Sequence, residues 1–274
     1  MAEIVVNDPQ WAPLYQALRR AATGGHVNVA YSGGFDSRFL AFCAKEMGFS
    51  VSLWHITGPH IPLAETQEAL ERAKVLGLTV RTVPTDPTKI ADFVAAGINR
   101  CYVCKRAVFA TLLSMVGGNL VDGSNATDSV NFRPGARALR ELGVFSPWVE
   151  GGYTKPRMRE MARSVGFPDP DQPSRPCMMT RFPYGVTPER QLMQIATEVE
   201  RGMLEKYPTL SLRCRFPDGV NPVVHVGRAS VEERGEDFLN QLSEDILRLT
   251  GRSIPVEVQD VLSGYFDRVQ KVNQ

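Results

Sequence analysis

The sequence predicts an α/β chain, a parallel sheet flanked by helices, followed by a smaller α+β C-terminal domain. Three observations predict it. β-like runs at 26–31, 50–56 and 79–83 alternate with helix-like runs at 38–47 and 63–76, the βαβαβ spacing of a parallel sheet. The stretch Ala30-Tyr31-Ser32-Gly33-Gly34-Phe35-Asp36-Ser37 joins the first of these strands to the first of these helices through a Gly-rich turn. After Gly185 the pattern changes to helix, two strands, helix, strand. The expected domains are therefore 1–185 and 186–274.

The chain has 274 residues, 43% hydrophobic and 22% charged, which is ordinary for a globular protein with about two domains. Lys+Arg 31 against Asp+Glu 30 gives no electrostatic footprint for non-specific nucleic-acid binding, so a nucleic-acid partner is not expected. No apolar run reaches the ~18 residues of a membrane span. The first ten residues carry acids and no basic segment before an apolar one, so no signal peptide is expected, and cytoplasmic localisation is.

In order, residues 9–22 read as a helix, with Trp11, Leu14 and Leu18 at helical spacing and Thr23-Gly24-Gly25 as its stop. The strand and loop follow. Phe39, Leu40, Cys43 and Met47 make an apolar stripe on the next helix, so Cys43 is expected to pack. The strand at 50–56 ends in Trp54-His55-Ile56, where a doubly wound sheet receives an adenine base. His55 and His60 have no partner at metal-binding spacing and are expected at the surface or a pocket rim. Residues 100–115 read as a helix and 119–121 as a short strand ending in Asp122-Gly123-Ser124-Asn125-Ala126-Thr127-Asp128, a polar loop suited to ribose and metal contacts or to a plain turn. A basic helix spans 154–165, and 168–176 is rich in proline. In the C-terminal part, 188–207 and 231–249 read as helices, and 211–216, 223–226 and 254–261 as strands.

The loop carries the first chemistry. Glycines let the backbone approach an anion, free N–H groups and the helix dipole stabilise its charge, and Ser32 and Ser37 add hydroxyl donors. Asp36 would repel phosphate, and its presence implies a bridging Mg²⁺. The loop lacks the Gly-Lys-Ser/Thr of a Walker A and the third glycine of a dinucleotide fingerprint. Ser-Gly-Gly-x-Asp-Ser resembles the PP-loop of ATP pyrophosphatases.

The cysteines carry the second. Cys43, Cys101, Cys104, Cys177 and Cys214 make an odd set, and a disulfide framework is not expected. Cys101 and Cys104 share a helix face at i, i+3. With Cys177 they suit three readings, in this order: a 4Fe–4S cluster with one open iron, persulfide chemistry, and zinc.

Arg100-Cys-x-x-Cys-Lys105, Asp122-Gly-Ser-Asn-Ala-x-Asp128, Phe132-Arg-Pro-Gly135, Glu141-Leu-Gly-Val-Phe-Ser-Pro147, Thr154-Lys155 and Cys177-x-x-x-Arg-Phe-Pro-Tyr-Gly185 follow the loop in order. Together they resemble the LarE family of ATP-dependent sulfur transferases over about residues 25–187, with Arg213-x-Arg215 as a weaker continuation. The resemblance implies a PP-loop fold of the adenine nucleotide alpha hydrolase type. It implies adenylation of a carboxylate of a pyridinium biscarboxylate mononucleotide in nickel-pincer nucleotide biosynthesis, then replacement of oxygen by sulfur. The cofactors it implies are ATP, Mg²⁺ and a 4Fe–4S cluster on Cys101, Cys104 and Cys177, and the assembly a homo-oligomer, trimer or hexamer. A sacrificial Cys177 is the family's other form. The C-terminal turn Phe216-Pro217-Asp218-Gly219 and the segment after Arg228 depart from the family.

On this reading ATP binds over Ala30, Ser32, Gly33, Gly34, Asp36, Ser37, His55, Ile56 and Gly123. Mg²⁺ sits at Asp36 with Asp128. Lys105, Arg133 and Arg181 neutralise phosphate charge, and Arg213, Arg215 and Arg133 hold a substrate phosphate. Sulfide arrives from an unspecified donor through Cys101, Cys104 and Cys177. Thiolation of a nucleobase, a tRNA or another small molecule by the same adenylation is the alternative, with a nucleotide-binding regulatory module as a reading from another class.

Overall fold

In a computed structural model, which describes residues 4–127, 134–235 and 237–272, the first helix α1 (Ala12–Ala21) leads into strand β1 (His26–Ala30). Helix α2 (Phe35–Glu46), β2 (Ser50–Thr57), α3 (Leu63–Val75) and β3 (Val80–Pro84) follow. Then come α4 (Arg100–Val116), β4 (Leu120–Val121), α5 (Pro134–Glu141), the single turn α6 (Pro147–Glu150) and α7 (Lys155–Ser164). The four strands form one parallel sheet in the order β3-β2-β1-β4. In β1, His26 pairs with Ser50 and Ala30 with Trp54, while Val29 pairs with Val121 on the other side. This is the predicted α/β architecture, with element ends shifted by one to three residues.

The sheet is covered on both faces. Neighbouring residues of a strand point to opposite sides, and Leu53 and Val121 join one apolar cluster while Trp54 and Leu120 join another. The first cluster contains α1, α2 and α7; the second lies under α4 and α5. Asn28, buried in β1, accepts from Trp54 Nε1 at 3.1 Å and donates to the Asn119 carbonyl at 3.2 Å, tying three adjacent chain segments together.

Nine of the twelve residues of α2 are buried, so it is a central helix rather than an amphipathic one. Its Phe39 stacks on Trp148 at 5.4 Å and touches Trp11, Phe35, Phe42 and Phe167. Such ring contacts add to the large apolar area each ring removes from water.

The chain divides into two units, Met1–Phe93 with Asn99–Arg175, and Val94–Ile98 with Pro176–Gln274. The second contains α8 (Arg190–Lys206), β5 (Leu212–Arg215), β6 (Val223–Gly227), α9 (Arg228–Glu232), α10 (Phe238–Thr250), β7 (Val256–Gln259) and α11 (Tyr265–Val272). β5 runs antiparallel to β6, and β7 parallel to it. Met193, Val199 and Met203 of α8 and Leu242 and Ile246 of α10 are buried. Two expectations are corrected here. The helix expected at 231–249 is two helices, because the chain turns at Gly235 before Phe238 restarts it. Helix α11 is absent from the sequence reading; among its residues with described burial, Phe266 is the buried one.

Phe39→Ala removes the ring that all these aromatics share. It should cost about 3–5 kcal/mol of stability, read as a lower urea midpoint at unchanged slope.

Candidate functional site

The site begins where β1 hands the chain to α2, at the carboxyl end of the sheet. Gly33 has φ +75°, and a Cβ there would lie 2.4 Å from Ala69 Cβ of α3. Only glycine fits this corner. Ser37 Oγ donates to the Gly34 carbonyl at 3.2 Å and lies 3.1 Å from both Ser32 Oγ and Ser32 N. The two hydroxyls predicted to meet a phosphate are thus adjacent at the N-terminus of a buried helix.

Asp36 projects from the first turn of α2. Its Oδ2 accepts from Lys155 Nζ and from Asn125 Nδ2, each at 3.3 Å, and its carbonyl accepts from Trp148 Nε1 at 3.2 Å. Lys155 is the first residue of α7; the motif Thr154-Lys155 marks it in the sequence, but the expected site residues leave it out. The other arginines of that helix pair locally: Arg157 with Glu160, and Arg159 and Arg163 with Asp171. Gly123 approaches the same turn from the end of β4. A Cβ on it would stand 2.8 Å from Ser37 N and 3.1 Å from the Asp36 carbonyl carbon. Asp122 beside it accepts from Ser146 Oγ at 2.6 Å and from Ser124 Oγ, which holds this strand end in shape.

A cleft of about 190 Å³ opens over the loop, lined by Ser32, Gly34, Asp36, Lys155, Gln172 and Arg175 among others. It is smaller than a typical site for a whole small molecule, about 300–1,000 Å³, and it suits the phosphate end of a nucleotide. Arg175 forms an ion pair with Glu68 at 2.7 Å, and both line the cleft. Gln172, Ser174 and Arg175 come from the Pro-rich segment, whose composition alone gives no hint of this place.

His55 and His60 correct the expectation of surface or rim histidines. Both are buried. His55 Nδ1 lies 2.9 Å from the Tyr31 carbonyl and Nε2 3.1 Å from Thr66 Oγ1, so both ring nitrogens are engaged inside the fold. Burial pushes its pKa down and that of His60 to about 4. Ile56 is half-buried against the Trp54 cluster. Ala30 is half-buried and ends β1.

Cys101 and Cys104 lie in the first turn of α4, Cys101 exposed and Cys104 half-buried, and Lys105 packs its stem against Gly135. Cys177, exposed, precedes the 3₁₀ turn Met178–Arg181 in the second unit. Among the described residues, no group of three or more His, Cys, Asp or Glu side chains is placed to hold a metal ion. Cys101 and Cys104 belong to the first unit and Cys177 to the second. Asp36 offers one oxygen ligand to Mg²⁺. Its expected partner Asp128, like Arg133, lies outside the described residues.

The arginines of the second unit are already bonded. Arg181 Nε and Nη2 meet the two Glu200 oxygens at 2.6 and 2.7 Å, and Arg181 is buried. Arg213 and Arg215 share a face of β5, as their spacing predicts. Arg213 donates to the Leu212 carbonyl at 2.6 Å. Arg215 is buried, donates to the Leu262 carbonyl, and places Nη1 2.8 Å from His225 Nδ1 under the Tyr265 ring. His225 Nδ1 thus accepts, which leaves the ring proton on Nε2, 3.3 Å from Glu257 Oε2. Burial, with Arg215 beside it, lowers the pKa of His225 to about 4.

No profile of a known protein family matches the chain. Among curated proteins it is similar to an uncharacterised protein of Synechocystis sp., 33% identical over 162 residues, 57% of this chain and 60% of that one. It is similar to an uncharacterised protein of Methanocaldococcus jannaschii, 30% identical over 162 residues, 58% and 61% of the two chains. It is also similar to the pyridinium-3,5-bisthiocarboxylic acid mononucleotide synthase of Lactiplantibacillus plantarum, 25% identical over 167 residues, 59% and 60% of the two chains. That synthase is a LarE protein, so the motif resemblance has a distant curated counterpart. The chain spans about 60% of the length of these relatives.

Two outcomes are expected. Gly123→Ala forces a methyl group into the Asp36–Ser37 backbone and should destabilise by about 1–3 kcal/mol, read as a lower melting temperature. His225 stays neutral in the fold while the unfolded chain binds its proton below pH 6.5, so stability should fall as pH drops from about 6.5 to about 4. Urea midpoints across that range should decline less steeply in His225→Gln than in the parent chain.

Proposed function

We propose that the chain is an ATP-dependent sulfur transferase acting on a small anionic nucleotide, with a carboxylate of a pyridinium mononucleotide as the acceptor. The observation that carries this reading is the Ser32–Ser37 loop, two adjacent hydroxyls and a carboxylate at the N-terminus of a buried helix under a cleft of phosphate size. The relative from Lactiplantibacillus supports the sulfur step by its name, which describes a bisthiocarboxylic acid product.

In this reading the backbone N–H groups and hydroxyls of the loop hold the phosphates, and the helix dipole stabilises their charge. Mg²⁺, bound with ATP at Asp36, would neutralise phosphate oxygens. A substrate carboxylate oxygen attacks the α-phosphorus, the bond to the bridging oxygen breaks, and pyrophosphate leaves through the cleft. Lys155 is well placed for the developing charge, because it already stands beside Asp36. It takes the part expected of Arg181, whose guanidinium is spanned by Glu200. A sulfur nucleophile then attacks the acyl carbon and AMP departs. Where Cys177 supplies the sulfur, its Sγ attacks the acyl carbon as AMP leaves, and loss of the Cα proton then breaks the Cβ–Sγ bond, leaving a thiocarboxylate and dehydroalanine. Cys101 and Cys104 are the further thiols proposed for sulfur delivery, and the alternative acceptors, a nucleobase or a tRNA, would use the same first half-reaction.

The test is to incubate the protein with Mg·ATP and pyridinium biscarboxylate mononucleotide and follow AMP, pyrophosphate and the mass gain of sulfur for oxygen, with iron and acid-labile sulfide measured on the same sample. Asp36→Asn should lower AMP formation about 100-fold or more. Cys177→Ala should keep substrate-dependent adenylation and lose the mass gain. No substrate-dependent AMP from the parent chain with this or any other candidate acceptor would sink the reading.

A further inference from the structure

Arg38 is the residue after the loop's last serine, and it is buried to 2% exposure. Its hydrogen-bond partners are neutral oxygens: Nε donates to Gln172 Oε1 at 3.2 Å, and Nη2 to the carbonyls of Pro168 and Asp169 at 3.3 and 3.2 Å. Its guanidinium also lies 5.0 Å from the Phe167 ring centroid. Burial of this charge is costly, and its nearest like charge, Arg72, adds to the cost, so that its pKa is lowered. An apolar residue would fill the same space with less penalty. Stability alone therefore does not account for an arginine here.

Gln172 supplies the reason. It is 8% exposed, and while its Oε1 accepts from Arg38, its Nε2 donates to the Gly33 carbonyl at 3.3 Å. The amide is oriented by Arg38, since a guanidinium can only donate. The peptide between Gly33 and Gly34 is flanked by two residues without Cβ atoms and is the easiest in the loop to turn over. Because a peptide is planar and trans, fixing its carbonyl fixes its N–H on the opposite side. There Gly34 N donates to Ser32 Oγ at 3.3 Å. The same bonds hold the segment whose residues 172–175 line the cleft, and Arg72 lies 3.7 Å from Asp169 and Arg175 2.7 Å from Glu68 on its surface.

We propose that Arg38 and Gln172 are positioning residues for the phosphates of the nucleotide. Through the Gln172 amide, the buried guanidinium sets the orientation of the Gly33–Gly34 peptide and holds segment 168–175 beside it. This rests on the reading of the loop as an ATP site and adds to it the device that presets the loop. The ligand class it serves is a nucleoside triphosphate or pyrophosphate. A nucleoside without phosphates does not use it.

Two substitutions separate positioning from plain anchoring. Gln172→Glu keeps an acceptor for Arg38, now a charged one, but loses the donor to Gly33. Gln172→Leu loses both at similar volume without adding charge. The full chain and both variants are titrated with Mg·ATP, Mg·pyrophosphate and adenosine by calorimetry, and melted in parallel. The expected result is a drop of about tenfold in affinity for ATP and pyrophosphate in both variants, adenosine binding unchanged, and a melting temperature retained in Gln172→Glu. Unchanged ATP affinity in both variants, with the parent chain binding ATP, would overturn the positioning role alone. So would a parallel fall of ATP, adenosine and melting temperature, which marks a purely structural part. A parent chain that binds neither ATP nor pyrophosphate would overturn the nucleotide reading of the loop, and this proposal with it.

Discussion

Helix α2 starts between two backbones that approach it too closely for a side chain, and the site depends on that fit. On one side Gly33 meets Ala69 of α3; on the other Gly123 meets the amide of Ser37. Neither neighbour can retreat cheaply, because Ala69 is buried in the core cluster under α3, and Gly123 leaves a strand paired into the sheet. The loop's shape is therefore set by the packing of the whole unit. Phe39, one turn into α2, stacks on Trp148, and Trp148 donates its indole N–H to the Asp36 carbonyl. The aromatic core and the proposed reaction centre are thus one contact apart.

The chain is nearly neutral, at +1, and both signs of charge meet around this corner. Lys155, Arg38, Arg72 and Arg175 all lie within the segments that surround the loop. Their partners differ in a way that matters. Arg175 and Arg72 meet carboxylates on partly exposed side chains, where such pairs contribute little. Arg38 meets neutral oxygens, so its charge adds to the helix dipole at the loop rather than being cancelled on contact. Lys155 faces Asp36 with both groups about a quarter exposed, in reach of whatever enters the cleft. The cleft is lined by both signs, Asp36, Glu65 and Glu68 with Lys155 and Arg175, so an anion there would rely on the loop's N–H groups and hydroxyls.

The parts legible in the sequence were those whose causes are local. Strand, Gly-Gly, helix start is written in consecutive residues, and the alternation of β-like and helical runs carried the parallel sheet with it. What escaped depends on contacts between distant residues. Lys155 and Asp36 are 119 residues apart, and the motif Thr154-Lys155 does not say which carboxylate the lysine meets. His55 was expected at a rim because its spacing lacks a metal partner, but Thr66 and the Tyr31 carbonyl enclose it. Arg181, expected at phosphate, is held by Glu200, 19 residues further on in α8, a pairing that helical spacing alone does not show. The Pro-rich segment shows only its composition in the sequence, because the buried Arg38 that bonds it is 134 residues from Gln172.

The cysteines show how burial sorts residues that composition cannot. Cys43 and Cys214 are fully enclosed, and burial raises the first thiol well above its ordinary range and the second to about 12. A thiol that does not ionise and meets no solvent can neither attack an adenylate nor accept sulfur from a donor. Cys101 and Cys177 are exposed and Cys104 half-buried, so the three that the motifs singled out are the ones open to the proposed sulfur chemistry. The same physical property that removes Cys43 from reaction puts it in the core beside Phe39 and Phe42, where it helps fix α2. One residue type thus serves the proposed two half-reactions separately, as packing that holds the phosphate loop and as exposed thiols that hand over sulfur.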